Sequence, residues 1–256
     1  MKETFIKRIK EVTLRDPILV EGLPGVGHVG KLVADHLVEE LHAEKIMEIY
    51  SPHFPPQVMV NDDGTIKQVR NEIYAYAGKD GQPDLLLLVG DYQSATNEGH
   101  YELTGIFLDI AQEYKVKRIY ALGGYGTGQF VDKPTVLGAA NNTALVEDMK
   151  QYDVIFHDNE PGGGIIGVSG LLLGLGGLRN IDAVCLMGVT SGYLVDPKSA
   201  QEVLRVLCKA LKVEVGMEAL QERGKEMEKI VGKLQEMEKA QFPYECGGDE
   251  DLRYIV

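Results

Sequence analysis

"ILVEGLPGVGHVGKLV", residues 18–33, joins a short apolar run to an amphipathic repeat through a glycine-rich turn. Ile18 to Glu21 has the β-branched, apolar character of a strand. Val29, Leu32, Val33, Leu37 and Leu41 then fall on one face of a 3.6-residue repeat, so the spacing predicts a helix over 29–41. Strand, tight turn and helix in that order are the unit of a parallel sheet. The turn matches two phosphate-binding patterns incompletely. Gly25-x-Gly27-x-x-Gly30 has the spacing of the dinucleotide fingerprint, and Glu48 stands near the ~20-residue offset of a ribose-binding acid. Gly25-x4-Gly30-Lys31 approaches a phosphate loop, but Leu32 replaces the magnesium-binding Ser or Thr and Pro24 stiffens the turn. Two readings are open: a turn that holds an anion on a helix N-terminus, or a corner whose glycines serve backbone angle and close packing. The residues favour the second, with Lys31 a helix-surface lysine.

Working outward, Ile46 to Tyr50, Leu85 to Val89, Arg118 to Leu122, Val154 to His157 and Ala183 to Met187 are strand-like. Tyr101 to Tyr114 and Ala200 to Leu211 carry helical periods, the latter started by Asp196-Pro197, an acidic cap followed by proline. Leu85-Leu86-Leu87-Leu88-Val89 is apolar on both faces, which predicts a central strand covered on each side. Gln57 to Ala77 has strand-like runs split by Asn61-Asp62-Asp63-Gly64 and no room for a helix, so an antiparallel hairpin inserted in the sheet is expected. The fold class is therefore α/β, a mixed, mostly parallel sheet between helices.

After Lys212 the composition shifts. Gly216 to Gln241 is charge-rich, with Leu220, Met227, Ile230, Leu234 and Met237 at heptad-like intervals, and fits a helix packed on its own domain or a self-association helix. Cys246 to Asp251 is an acidic linker, after which Leu252-Arg253-Tyr254-Ile255-Val256 is apolar again. This divides the chain into an α/β domain over 1–212, a charged helix over 213–242 and a tail over 243–256.

The 256 residues carry 26 Lys and Arg against 39 Asp and Glu, a net charge of -13, which repels a phosphate backbone and argues against nucleic acid as a partner. No run approaches the ~20 apolar residues that span a bilayer, so no membrane partner is expected. Cys185, Cys208 and Cys246 lack the paired spacing of a zinc site or disulfide framework, which fits a reducing cytoplasm. Two more glycine clusters, Gly123 to Gly128 and Gly162 to Gly167, follow or precede apolar runs and would gather at the carboxyl edge of the sheet, so Gly25, Gly27, Gly30, Gly124 and Gly164 are the candidate ligand-loop residues. Tight turns are the favoured explanation of these glycines. For catalysis, Glu98-x-His100-x-Glu102 is explained by helix capping, His157-Asp158-Asn159-Glu160 by a loop, and His36 by a satisfied core histidine. No catalytic residue and no metal ligand is assigned.

Taken in order, the motifs resemble the proteasome assembly chaperone family, specifically the archaeal relatives of the second subunit of the eukaryotic assembly-chaperone heterodimer. The resemblance is carried by Glu21 to Gly30, Ser51-Pro52-His53-Phe54-Pro55-Pro56, Leu85 to Asp91, Gly123-Gly124-Tyr125, Gly163 to Gly167 and Leu186 to Pro197, and covers about residues 15–212. It implies a fold like that of the purine nucleoside phosphorylases without their chemistry, and an ATP-independent, cofactor-free cytoplasmic chaperone that binds proteasome α-subunits. It also implies a homo-oligomer, tetramer or pentamer, or co-assembly with a related chain. The family docks through a C-terminal hydrophobic-Tyr-any motif. Here Leu252, Tyr254, Ile255 and Val256 are the docking residues, with Tyr254 third from the end instead of penultimate. An apolar anchor, a phenol and a terminal carboxylate suit an intersubunit pocket. The alternative from the glycine loops is a nucleoside- or nucleotide-binding enzyme of phosphorylase-like fold.

Overall fold

The computed structural model describes residues 1–79, 81–156 and 164–222. Its elements in chain order are β1 (Phe5–Arg8), β2 (Ile18–Gly22), α1 (Val29–Glu40), β3 (Glu44–Tyr50), β4 (Val58–Val60), β5 (Ile66–Gln68), β6 (Asn71–Tyr76), β7 (Leu85–Gly90), α2 (Asn97–Glu113), β8 (Arg118–Gly126), β9 (Val136–Ala140), α3 (Thr143–Lys150), α4 (Val168–Leu178), β10 (Asp182–Thr190) and α5 (Pro197–Leu211). Eight strands form one sheet in the order β1-β3-β6-β7-β2-β8-β10-β9. The four central strands, β7, β2, β8 and β10, are parallel. Antiparallel strands flank them, with β6 on β7, β3 on β6, β1 on β3, and β9 on β10.

The doubly apolar run behaves as its sequence requires. Leu85 to Leu88 are fully buried in β7, and alternate residues serve opposite faces. Leu86 and Leu88 join Leu103, Phe107 and Ala111 of α2 and Leu172 of α4 on one side. Leu85 and Leu87 join Val33 and Leu37 of α1 and Val203 and Leu207 of α5 on the other. Burial of each such leucine is worth about 2 kcal/mol, so the two layers hold the sheet from both sides.

Helix starts follow their caps. Thr96 accepts the Gly99 amide at α2, Asn142 that of Leu145 at α3, and Asp196 that of Ser199 at α5, where Pro197 occupies the first turn. His36 faces inward and its Nε2 meets the Gly216 carbonyl at 2.6 Å, the satisfied core histidine its position suggested. Residues 218–222 are helical and Leu220 is buried against the α1–α5 layer, so the described start of the charged segment packs on the domain. The rest of that segment, with Cys246 and the tail, lies outside the described residues, as does 157–163 with His157 and Gly162.

Three expectations need correction. Gln57 to Ala77 is not one hairpin inside the sheet: β4 and β5 make a separate two-stranded sheet, and β6 alone enters the main sheet between β3 and β7. Val154 to Phe156 makes a single parallel bridge, Ile155 to Leu137, on the outer edge of β9, and Asp153, at φ 66°, turns the chain just before it. Gly123 to Gly126 is strand, not loop: β8 continues through Gly126 in register with Met187 to Thr190.

Candidate functional site

The glycine turn lies at the carboxyl edge of the parallel strands. A single 3-10 turn, Val26–His28, leads from β2 into α1, with Gly27 at φ 61° and His28 at φ 51°. Both are left-handed, which glycine accepts freely and other residues rarely. Gly22, Gly30 and Gly124 serve contact. A Cβ at Gly22 would lie 2.3 Å from the Gly30 oxygen and 2.4 Å from Ala34 Cβ, and one at Gly30 would lie 2.2 Å from the Leu122 oxygen. One at Gly124 would lie 2.3 Å from the Val26 oxygen. Helix α1 thus sits directly on β2 and β8, and the turn folds onto the end of β8. The Gly27 carbonyl is taken by the Asp196 amide at 2.9 Å. Gly25 and Gly164 are exposed and meet little or nothing.

The partners of a nucleotide turn are elsewhere. Lys31 Nζ bonds the Gly90 carbonyl at 3.1 Å and pairs with Asp35 at 2.9 Å, facing a groove of about 390 Å³ on the far side of α1 that also meets Lys67 and Asp91. Glu48 is on β3, three places from β2 in the sheet, whereas a ribose-binding acid belongs on the strand beside it. Burial works against its charge, but hydrogen bonds from Lys7, Tyr50 and Lys45 and the Arg70 charge prevail and bring it down to about 2.

A buried carboxyl, unnoticed in the sequence, occupies the centre of this edge. Glu21 is the only acid of β2 and is fully enclosed. It accepts from the Leu23 amide (2.9 Å), the Ser169 hydroxyl (2.9 Å) and the Leu122 amide. Desolvation outweighs these bonds and pushes it up to about 7. Gln93 lies alongside, donating to the Pro24 carbonyl (2.8 Å) and accepting from the Val168 amide (3.0 Å). Together Glu21 and Gln93 tie the first turn of α4 to β2 and its glycine turn. Cys185, on β10 beyond β8, is buried and its thiol is pushed up by desolvation.

Outside this latch the edge is apolar. Val26, Tyr125, Phe130, Tyr193 and Val195 are all exposed, Tyr193 by 75%. Gly126 and Gly192 back the shelf: a Cβ at either would lie within 3.6 Å of the other's Cα and of Val26 Cγ1. A second polar line, Glu102–His53–Thr96, joins carboxylate, imidazole and hydroxyl at 3.0 and 3.1 Å. The Thr96 oxygen is engaged as the α2 cap and Glu102 also holds Thr4, so this line pins the N-terminal strand to α2. Among the described residues no group of three His, Cys, Asp or Glu side chains is placed to hold a metal ion, and no helix is long and apolar enough to cross a membrane. Leu252, Tyr254, Ile255 and Val256 lie outside the described residues.

A family model described as the PAC2 family matches residues 19–235. An uncharacterised protein of Methanocaldococcus jannaschii is 38% identical over 259 residues, covering 100% of this chain and 98% of its own. The crystal structure of Pyrococcus furiosus PbaB, described as an archaeal proteasome activator, shares 40% identity with a TM-score of 0.87, over 92% of this chain and 100% of that one. That of Pyrococcus furiosus PbaA, described as an archaeal homolog of proteasome-assembly chaperone, shares 25% identity with a TM-score of 0.76, over 94% and 95% of the two chains. The parallel-centred sheet, the glycine turn welded to β8 and the match across most of the sequence agree, and the chain belongs to the PAC2 family.

Proposed function

We propose that this chain is a proteasome-binding protein of the assembly-chaperone kind, a cytoplasmic homo-oligomer that engages proteasome α-subunits without ATP or a cofactor and performs no chemistry of its own. The likeness to PbaB, at 40% identity over nearly the whole chain, is the observation that carries the reading. The glycine turn supports it: Gly30 packs against the Leu122 carbonyl of β8, Gly27 against Thr190 of β10, and the Gly27 carbonyl is taken by the Asp196 amide, so these glycines are engaged in packing within the fold. Domain 1–212 is the scaffold, 213–242 a helical extension and 243–256 the tail that grips the partner.

In the tail, Leu252, Tyr254, Ile255 and Val256 follow the acidic stretch Asp249-Glu250-Asp251, so apolar anchors are presented after a solvated spacer. Several tails on one oligomer bind with an avidity that a single tail lacks. Deleting residues 252–256 should remove co-elution with an α-subunit ring while the number of subunits in the oligomer stays the same. Undiminished co-elution would take the tail out of the mechanism, and absence of any co-elution by the intact chain would take out the proteasome reading itself.

A further inference from the structure

The two-stranded sheet stands apart from the core. All three residues of β4 are exposed, and β5 buries none fully. Val58 (43%), Met59 (42%), Val60 (73%) and Ile66 (67%) place four exposed apolar side chains on one short ribbon. Val58 pairs with Gln68, Met59 with Lys67 and Val60 with Ile66. Among the described residues, no other backbone hydrogen bond involves 58–60. Lys67 on β5 reaches Asp91 at 3.0 Å and holds that strand to the body. A lone two-stranded ribbon is marginal in water, and a strand edge of unpaired amides and carbonyls accepts another strand unless charge or proline blocks it. Gln57-Val58-Met59-Val60-Asn61 has neither.

We propose that β4 pairs edge to edge, antiparallel, with β4 of a second copy of this chain, so that two ribbons become a four-stranded sheet across a two-fold axis. Met59 faces the partner's Met59, and Val58 faces the partner's Val60. A two-fold contact must be self-complementary, and this one is apolar against apolar at every facing position. Charge selects a second copy as occupant. Each chain carries -13, so two copies meet at least cost where neither presents a carboxylate, and Gln57 to Asn61 is such a stretch. The inference rests on the homo-oligomer reading above and names its contact. The strand is short, so it is one contact of an oligomer with others, below the ~1,200 Å² of a stable interface by itself.

The test uses the full-length chain with Met59→Cys, made together with Cys246→Ser. Directly opposed residues of antiparallel strands have Cα atoms ~4.5–5.5 Å apart, within the range of a disulfide. Oxidation with copper phenanthroline and oxygen should give a covalent dimer that dithiothreitol reverses. Val58→Cys, which faces Val60 of the partner subunit, should give far less. By light scattering, Val60→Lys should lower the oligomer mass, and mixing it with a Val58→Glu chain should restore it. An oligomeric wild type whose Met59→Cys form yields no covalent dimer overturns the contact and leaves the oligomer standing. A wild type that is monomeric at every concentration overturns both. Cross-linking in lysate to a foreign chain alone would overturn the choice of a second copy.

Discussion

Replacing Glu21 by Gln should change how stability depends on pH, with a sign and size fixed by the site. The carboxyl titrates near 4.5 in an unfolded chain and near 7 in the fold, because burial penalises its charge. Below 4.5 both states hold the proton, and the neutral acid keeps its bonds to Leu23 and Ser169 without penalty. Between 4.5 and about 7 the unfolded chain has released the proton that the fold retains, so folding takes up a proton and stability falls by up to ~1.4 kcal/mol per pH unit. The loss totals ~3 kcal/mol by pH 8 and then stays constant. The Glu21→Gln amide has the shape of the neutral acid and does not titrate. Its Oε1 can take the Leu23 amide while its Nε2 donates to the Ser169 oxygen. Urea unfolding at pH 5, 6, 7 and 8 measures both proteins. The variant's stability relative to wild type should rise by ~2.5 kcal/mol over that range, on the order of 1 M in midpoint for a chain of this size. Other titrating groups act in both proteins and cancel in the difference, and a constant offset from the changed hydrogen bonds does not affect the slope. Parallel curves would mean that Glu21 is ionised throughout, and the account of the latch would fail.

Glu48 should behave with the opposite sign. Its folded value is held near 2, so its contribution is complete above 4.5 and is lost as pH falls through 2; Glu48→Gln should cost up to ~3 kcal/mol at pH 7 and almost nothing at pH 2, read from the same unfolding series. Gly30→Ala pushes a methyl against the Leu122 carbonyl at 2.2 Å and should cost ~1–3 kcal/mol, several degrees in a thermal melt, whereas Gly105→Ala, at a half-buried position of α2 where a methyl meets open space, should be neutral or slightly stabilising; equal melts for the two would refute the close approach of α1 to β8.

The central elements were legible because one local signal sufficed for each. β2, β3, β7, β8 and β10 lie where apolar runs were found, and α5 starts at the Asp196-Pro197 signal. The elements that were missed depend on contacts between distant residues. Helix α4 contains Gly170, Gly174, Gly176 and Gly177, a composition that opposes helix, and is held by packing: Gly170 fits against the Ile165 carbonyl, Gly176 against Leu108 and Ala183. Strand β1 is short, mostly exposed and charged, and exists because β3 offers an edge. The site was least legible at Glu21. A single acid between Val20 and Gly22 has no pattern around it, and its partner Ser169 is 148 residues away. The only trace was an acid inside a strand whose other positions are apolar, which is where a buried polar group has to find partners.

That placement also explains why the turn resembles a phosphate site without its parts. In a dinucleotide fold the glycines let pyrophosphate approach the helix, and the helix N-terminus faces open space. Here the same backbone freedom brings α1 against β8 and closes the turn over the end of that strand, with the Gly27 carbonyl committed to Asp196. Behind the turn, Ser169 donates to Glu21, and Gln93 bridges the Pro24 carbonyl and the Val168 amide. Those three hold the entry to α4, and what the edge presents outward is Val26, Tyr125, Phe130, Tyr193 and Val195. Large apolar side chains on a rigid backing lose little freedom on contact with another protein and exclude water when covered. The glycines of this scaffold are taken up in packing, and its carboxyl edge presents an apolar surface.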